Sequence, residues 1–188
     1  EGPILLAGGE RVPRNHDVDF VFRQKSDFLY LTGVEEPGCQ LLIEPRRGRH
    51  TLFIPRIDNH HRVWLGHVPG PEEAKGLFGF SRVLYADQLP AALKEARRGA
   101  RRVYADPPSC RRFGAALRGP KAPAALRDAL DELRACKTEG ELALMKRASR
   151  ISGGAHLEVM RAVKAGLYEY QVQAVFEAQC LKAGLRHL

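Results

Sequence analysis

The sequence predicts an α/β protein with a mixed sheet over residues 1–135, followed by a helical piece over 136–188. Three observations predict it. Short apolar and aromatic runs alternate with helical stretches from Ile4 to Leu117, the pattern of a layered α/β fold. Gln40–Ile43 and His50–Ile54 flank the linker Pro45-Arg46-Arg47-Gly48-Arg49, a hairpin signal with a glycine in its loop. From Thr138 onward apolar residues recur every three or four positions, which is helical spacing.

Each element has its own warrant. Ile4-Leu5-Leu6-Ala7 before Gly8-Gly9 reads as a strand and turn, and Val18 to Val21 begins another strand. Phe28-Leu29-Tyr30-Leu31-Thr32 is an aromatic and branched run suited to a half-buried strand, stopped by Gly33. Glu35-Glu36-Pro37-Gly38 then forms a second turn. On this reading Asp27 stands at the entrance to a buried strand, where a carboxylate either caps backbone or faces a site. After the hairpin, Pro55 to His61 leaves the sheet. Pro71-Glu72-Glu73-Ala74 opens a helix, with proline early and acids in its first turn. Arg82–Tyr85 is a strand, and Leu89–Arg98 a helix with Leu89, Leu93 and Ala96 on one face. Arg102–Ala105 is a further strand, closed by Pro107-Pro108, and Ser109–Leu117 another helix. Gly119-Pro120-Lys121-Ala122-Pro123 breaks the chain, and the Ala- and Leu-rich piece after it is ambiguous.

Thr138-Glu139-Gly140-Glu141 fits a capping box. Leu142, Met145, Ala148, Ile151, Ala155, Val159 and Ala162 then form one face expected to be buried. Gly153-Gly154 within that helix implies close packing or a bend. Glu169–Lys182 is a second helix with Val172, Val175 and Phe176 inward, closed by Gly184. The two helices have too little partner sequence to cover their apolar face, so a second domain is expected to begin here and to be cut short.

Composition narrows the function classes. The net charge is +8, from 30 basic and 22 acidic residues, but the arginines are scattered. No aromatic-rich RNA signature or zinc-finger spacing accompanies them, so a solvated Arg-rich surface is expected rather than nucleic-acid binding. No apolar run approaches the ~20 residues of a membrane span. Cys39, Cys110, Cys136 and Cys180 are widely spaced, which suits buried thiols in a reducing compartment. The chain opens Glu1-Gly2-Pro3 without Met and its true start is expected upstream. A cytoplasmic protein is expected.

A nucleophilic hydrolase finds no support, because Gly-x-Ser-x-Gly is absent and no cysteine has an activating signature. Phosphate-loop and dinucleotide patterns are absent too. Asp58, His60, His61 and His67 form the one dense cluster of candidate metal ligands. Neighbouring His60 and His61 would point to opposite faces of a strand, so a polar loop is the expected role. His156, beside Ala155, is expected to be structural. No Asp follows Asp131, so a carboxylate-rich pair of metal sites cannot be built from the helical piece.

The wording of Phe22 to Cys39, FRQKSDFLYLTGVEEPGC, resembles the N-terminal domain of the proline-specific metallopeptidases, aminopeptidase P and Xaa-Pro dipeptidase. Glu36-Pro37-Gly38-Cys39 tilts the likeness towards the dipeptidase. Cys136-Lys137-Thr138 through His187 resembles the start of the same family's catalytic domain. The likeness thus runs from about Asp19 to the last residue.

The resemblance implies a creatinase-like α/β N-terminal domain, then the first two helices of a "pita-bread" catalytic domain. It implies a hydrolase of peptides with Pro at the second position, acting as a homo-oligomer such as a dimer. Two divalent metal ions, usually manganese, would be held by Asp, Asp, His, Glu and Glu, all beyond Leu188, so no catalytic or metal-binding residue and no activity are expected in this chain. Trp64 matches a tryptophan on a loop reaching a neighbouring subunit's active site, against an alternative role in core packing. Asp27 and Arg134 match charges that line or gate the cleft, against a plain cap or salt bridge. The remaining alternative is a non-catalytic peptide-binding or interaction module on the same fold.

Overall fold

Alternation along three neighbouring strands sets the architecture. In the computed structural model, which describes residues 2–58, 63–64, 66–100, 102–117 and 124–185, β1 (Ile4–Ala7) pairs antiparallel with β4 (Gln40–Glu44). The register runs from Ile4↔Ile43 to Ala7↔Gln40. β5 (Arg49–Ile54) pairs antiparallel with β4, as the hairpin signal predicts. β6 (Val83–Tyr85) lies parallel to β5, and β7 (Tyr104–Ala105) parallel to β1. The sheet is therefore mixed, in the order β6-β5-β4-β1-β7.

Successive strand residues face opposite sides, so each strand feeds two cores. Leu6, Leu41, Leu52 and Ile54 enter one core with Phe28 and Ala74. Leu5, Leu42 and Phe53 enter the other with Leu89, Leu93, Ala96 and Leu117. The first is covered by α1 (Ser26–Thr32) and α2 (Pro71–Phe78). The second is covered by α3 (Leu89–Ala96) and α4 (Pro107–Leu117). Each fully buried Leu or Phe contributes about 1.5–3 kcal/mol relative to exposure.

Residues 28–32 depart from the sequence expectation: they form α1, a helix and not a strand. Phe28 and Thr32 are four apart and both buried, and Leu31 packs on the same core. In a strand Phe28, Tyr30 and Thr32 would share a face, whereas this core takes positions 28, 31 and 32. The Thr32 hydroxyl donates to the Phe28 carbonyl at 2.6 Å, which satisfies it internally. Gly33 then takes φ 66° and donates its N–H to Leu29 O, the left-handed stop that glycine favours. Tertiary packing has overridden strand propensity. Asp27 accordingly lies in the first turn of a helix, where a carboxylate meets the positive end of the helix dipole.

Smaller departures have local causes. Val18–Asp19 forms β3, shorter than expected, and pairs with β2 (Pro13–Asn15) in a separate two-stranded sheet. The prolines expected to close the last strand instead open α4, since proline suits a first helical turn. The break at Gly119–Pro123 lies outside the described residues, and the ambiguous piece beyond it is α5 (Ala124–Ala135).

The chain divides into two compact units, Glu1–Asp131 and Glu132–Leu188, so the division falls inside α5 rather than at its end. In the second unit, α6 (Glu139–Ala162) starts at the expected capping box: Thr138 N donates to Glu141 Oε2 at 2.7 Å, and Glu141 N to Thr138 Oγ1 at 3.3 Å. α7 (Glu169–Lys182) packs beside α6, with Ala155 and Cys180 buried and Phe176 against His156 at 4.8 Å between ring centroids. Of the expected buried face of α6 only Ala155 is buried; Ile151, Val159 and Ala162 are half-buried, and Leu142, Met145 and Ala148 are exposed. Residues 142–150 are all exposed, because α7 covers the helix only around Ala155. A Cβ built on Gly153 or Gly154 meets nothing within 4 Å, so close packing does not account for them.

Candidate functional site

Where β1 ends, the backbone needs partners that the sheet no longer supplies. Gly8 N donates to Cys39 O, and Gly38 N to Gly9 O, each at 2.8 Å. The buried Gln24 then replaces a strand. Its Oε1 accepts from Gly9 N at 2.6 Å and Lys25 N at 3.0 Å, while its Nε2 donates to Glu36 O at 2.9 Å. A Cβ on Gly8 would stand 2.9 Å from Cys39 O and 3.1 Å from the Gln24 amide, so only glycine fits.

Lys25 Nζ donates to Gly8 O at 3.0 Å and Ala7 O at 3.4 Å. Burial lowers its pKa; the Asp106 carboxylate opposes this and the Arg111 guanidinium adds to it. Asp106, just past β7, accepts from Ala7 N at 3.3 Å and Ser109 N at 2.9 Å through Oδ1. It thereby caps α4 and ties that helix to β1. Arg112 pairs with Glu10 on the same side. This edge, at the carboxyl ends of the parallel strands β1 and β7, is where α/β sheets usually place ligands. It fixes the start of α1 and so the exposed Asp27 two residues beyond Lys25.

The structure places the predicted residues on three elements. Asp27 is exposed in the first turn of α1 and engaged in an interaction of its own. Trp64 lies between β5 and α2 and is 77% exposed, so packing in a core is not its role. Arg134 is half-buried in the last turn of α5, also with a partner. Asp27 and Trp64 belong to the first unit and Arg134 to the second.

Of the candidate metal cluster, His60 and His61 lie outside the described residues. Asp58 is exposed, and His67 Nε2 is 2.8 and 2.9 Å from the two carboxylate oxygens of Glu73. Among the described residues no three His, Cys, Asp or Glu side chains gather into a metal-binding group. None of the four cysteines, all among the described residues, is in a disulfide. Burial, then the Glu36 charge, pushes the Cys39 thiol up to about 12, which removes it as a nucleophile. Cys136, expected to be buried, is exposed just past the end of α5.

Sequence patterns missed Gln24, Lys25, Asp106 and the His67–Glu73 pair. Asp106-Pro107-Pro108-Ser109 does carry a helix-start signal, a capping Asp before proline. Gln24 carries none, because its partners are backbone groups of distant turns. Also unforeseen is an apolar groove of about 320 Å³ between α1 and α2, lined by Leu31, Leu41, Ile43, His50, Phe78 and Phe80 among others.

Comparison with known proteins points one way. Residues 1–104 match the family described as aminopeptidase P, N-terminal domain. The chain is 34% identical over 193 aligned positions to human Xaa-Pro dipeptidase, covering 98% of this chain and 39% of the relative. It is 31% identical to a probable Xaa-Pro aminopeptidase of Chaetomium globosum, covering 96% of this chain and 31% of that one. It thus spans about a third to two-fifths of the length of these relatives. Among solved structures, a variant of Escherichia coli aminopeptidase P superposes with a TM-score of 0.88 at 24% identity, over 99% of this chain and 46% of the other. Yersinia pestis proline aminopeptidase P II superposes with a TM-score of 0.82 at 25% identity, over 99% and 47%.

Proposed function

The chain belongs to the aminopeptidase P N-terminal domain family, and from that premise we propose that it is the N-terminal portion of a metallopeptidase cleaving Xaa-Pro bonds, a dipeptidase rather than an aminopeptidase. The observation that carries this is the 34% identity to a Xaa-Pro dipeptidase across 98% of the chain, which takes in the helical unit as well as the matched domain.

In the full-length protein the first unit would restrict the length of peptide admitted and take part in homo-oligomer contacts. Trp64, exposed between β5 and α2, is assigned to the rim of the entrance. Asp27 and Arg134 are each assigned, on the family resemblance, to charges that line or gate the cleft of the full-length protein. The substrate would be a peptide with Pro at its second position, and the location cytoplasmic. No described helix is long and apolar enough to cross a membrane.

Two divalent metal ions, manganese expected, belong to the proposal for the full-length protein. When bound, such ions supply an activated water and polarise the scissile carbonyl. The described residues of this chain offer no ligand set that fits them.

The test is to express the full reading frame that contains this chain and assay an Xaa-Pro dipeptide beside a longer Xaa-Pro peptide, with added manganese. Metal-dependent release of proline from the dipeptide is expected. Turnover of neither peptide would overturn the proposal, and tight binding without cleavage would favour a peptide-binding module. The 188-residue chain alone is expected to show no turnover above a metal-only control.

A further inference from the structure

Seven residues beyond Trp64 the chain enters α2, which is packed on the first core. α2 buries Ala74 completely and sets Phe78 against the first core, so its first turn is a fixed point. Glu73 stands in that turn, and His67 Nε2 lies 2.9 and 2.8 Å from its two carboxylate oxygens. The adjacent Glu72 is engaged elsewhere, accepting from Lys75 Nζ at 2.7 Å. Gly66, at φ 75°, turns the chain between Trp64 and His67 with open space around its Cβ position. Val63 and Trp64 are 81% and 77% exposed. An indole so exposed is held in place by what its backbone is fastened to, not by packing.

We infer that the His67–Glu73 pair is a positioning latch, which fastens the segment carrying Trp64 to the first turn of α2 and so sets where the indole stands. The functional consequence, orientation of the entrance rim, rests on the role proposed above for Trp64. The latch itself does not, because it is a statement about the motion of one ring.

Trp64 is the single tryptophan of the chain, so fluorescence anisotropy decay and acrylamide quenching report on it alone. His67→Ala and Glu73→Ala should each shift the ratio of held to freely moving indole about two- to fivefold, the range an exposed hydrogen-bonded side-chain pair can impose. His67→Gln keeps an N–H donor and should restore most of the wild-type decay. Glu72→Ala removes an equal charge from the same turn and should leave the decay unchanged.

A His67→Ala decay indistinguishable from wild type would overturn the latch. So would a His67→Gln ring as mobile as in His67→Ala, or equal loosening by Glu72→Ala. Loss of the entrance role would look different. In the full-length enzyme, Trp64→Ala would leave kcat and KM unaltered while the anisotropy response of His67→Ala persisted.

Discussion

Arg49 holds Glu44 through two nitrogens, Nε at 2.6 Å from Oε2 and Nη2 at 2.9 Å from Oε1. The two residues are register partners at the end of the β4–β5 hairpin, and the Glu44 side chain is only 4% exposed. Arg47 adds a contact to Glu44 at 2.8 Å, and both guanidiniums reach Glu95 on α3 at 3.1 Å. Arg49→Ala would leave a buried carboxylate with one partner. Breaking a fully buried pair costs ~3–5 kcal/mol, and the part-exposed Arg49 reduces the expected loss to about 1–3 kcal/mol. Urea denaturation measures it, and no shift of the midpoint would mean that the cluster is merely solvated.

The same cluster has an acid signature. The hydrogen bond from Arg49, then its charge, holds the Glu95 carboxyl below the usual carboxylate range. A depressed native pKa gives stability that is present above the unfolded value and lost as pH falls through the native one. Glu95→Gln should therefore flatten the acid limb of the stability profile while leaving its neutral and alkaline parts parallel to wild type. An acid limb as steep as wild type would contradict this.

Gln24 holds together two turns that contain no strand. Gln24→Leu would leave the Gly9 and Lys25 amides without their buried acceptor, and an unsatisfied buried group costs about 1–3 kcal/mol. Gln24→Glu keeps that acceptor but turns an oxygen instead of the Nε2 donor on Glu36 O, so it should be the milder change only at a pH low enough to protonate the carboxyl. Thermal melts of the two variants decide the order.

Thiol accessibility separates the cysteines. In the native protein an aromatic disulfide reagent at neutral pH should modify the exposed Cys136 first and the buried Cys39 and Cys180 only after denaturant is added. Because the Cys39 pKa is raised from 9.0 to about 12, its contribution is intact below the unfolded value and lost as pH climbs through that interval. Cys39→Val should lack this alkaline loss. Rapid native modification of Cys39 would refute its burial.

Trp64→Ala should cost far less than the ~3–5 kcal/mol of a core tryptophan, since the ring is 77% exposed. In the full-length enzyme it should weaken turnover of short peptides and leave metal affinity unchanged. A large fall in melting temperature with unaltered kinetics would remove Trp64 from the entrance.

The sheet was legible from sequence because local signals coincide with it. Pro45 to Gly48 fixes the hairpin, and Leu89, Leu93 and Ala96 mark a helix face that is buried as expected. Residues 28–32 misled because their composition favours a strand, while the core selects Phe28, Leu31 and Thr32 at helical spacing. Helix boundaries set by a cap were readable at Thr138, where the capping box is a sequence pattern. The polar edge was not readable, since Gln24, Lys25 and Asp106 act on backbone groups that only the fold brings near. Trp64 and Arg134 were singled out by resemblance alone and Asp27 also by its place before residues 28–32, while their exposure and elements come from the structure.

The position of β1 between β4 and β7 governs the order in which the chain can assemble. Ala7 N is bonded to a side chain 99 positions away, so during synthesis one flank of β1 stays unsatisfied until residue 106 exists. The β4–β5 hairpin closes over a short loop and can form early, giving β1 an antiparallel template, whereas the parallel β1–β7 seam must come last. During synthesis the apolar Ile4–Ala7 segment is thus the natural target for a chaperone, and a slow final step in refolding should track the docking of Tyr104–Ala105.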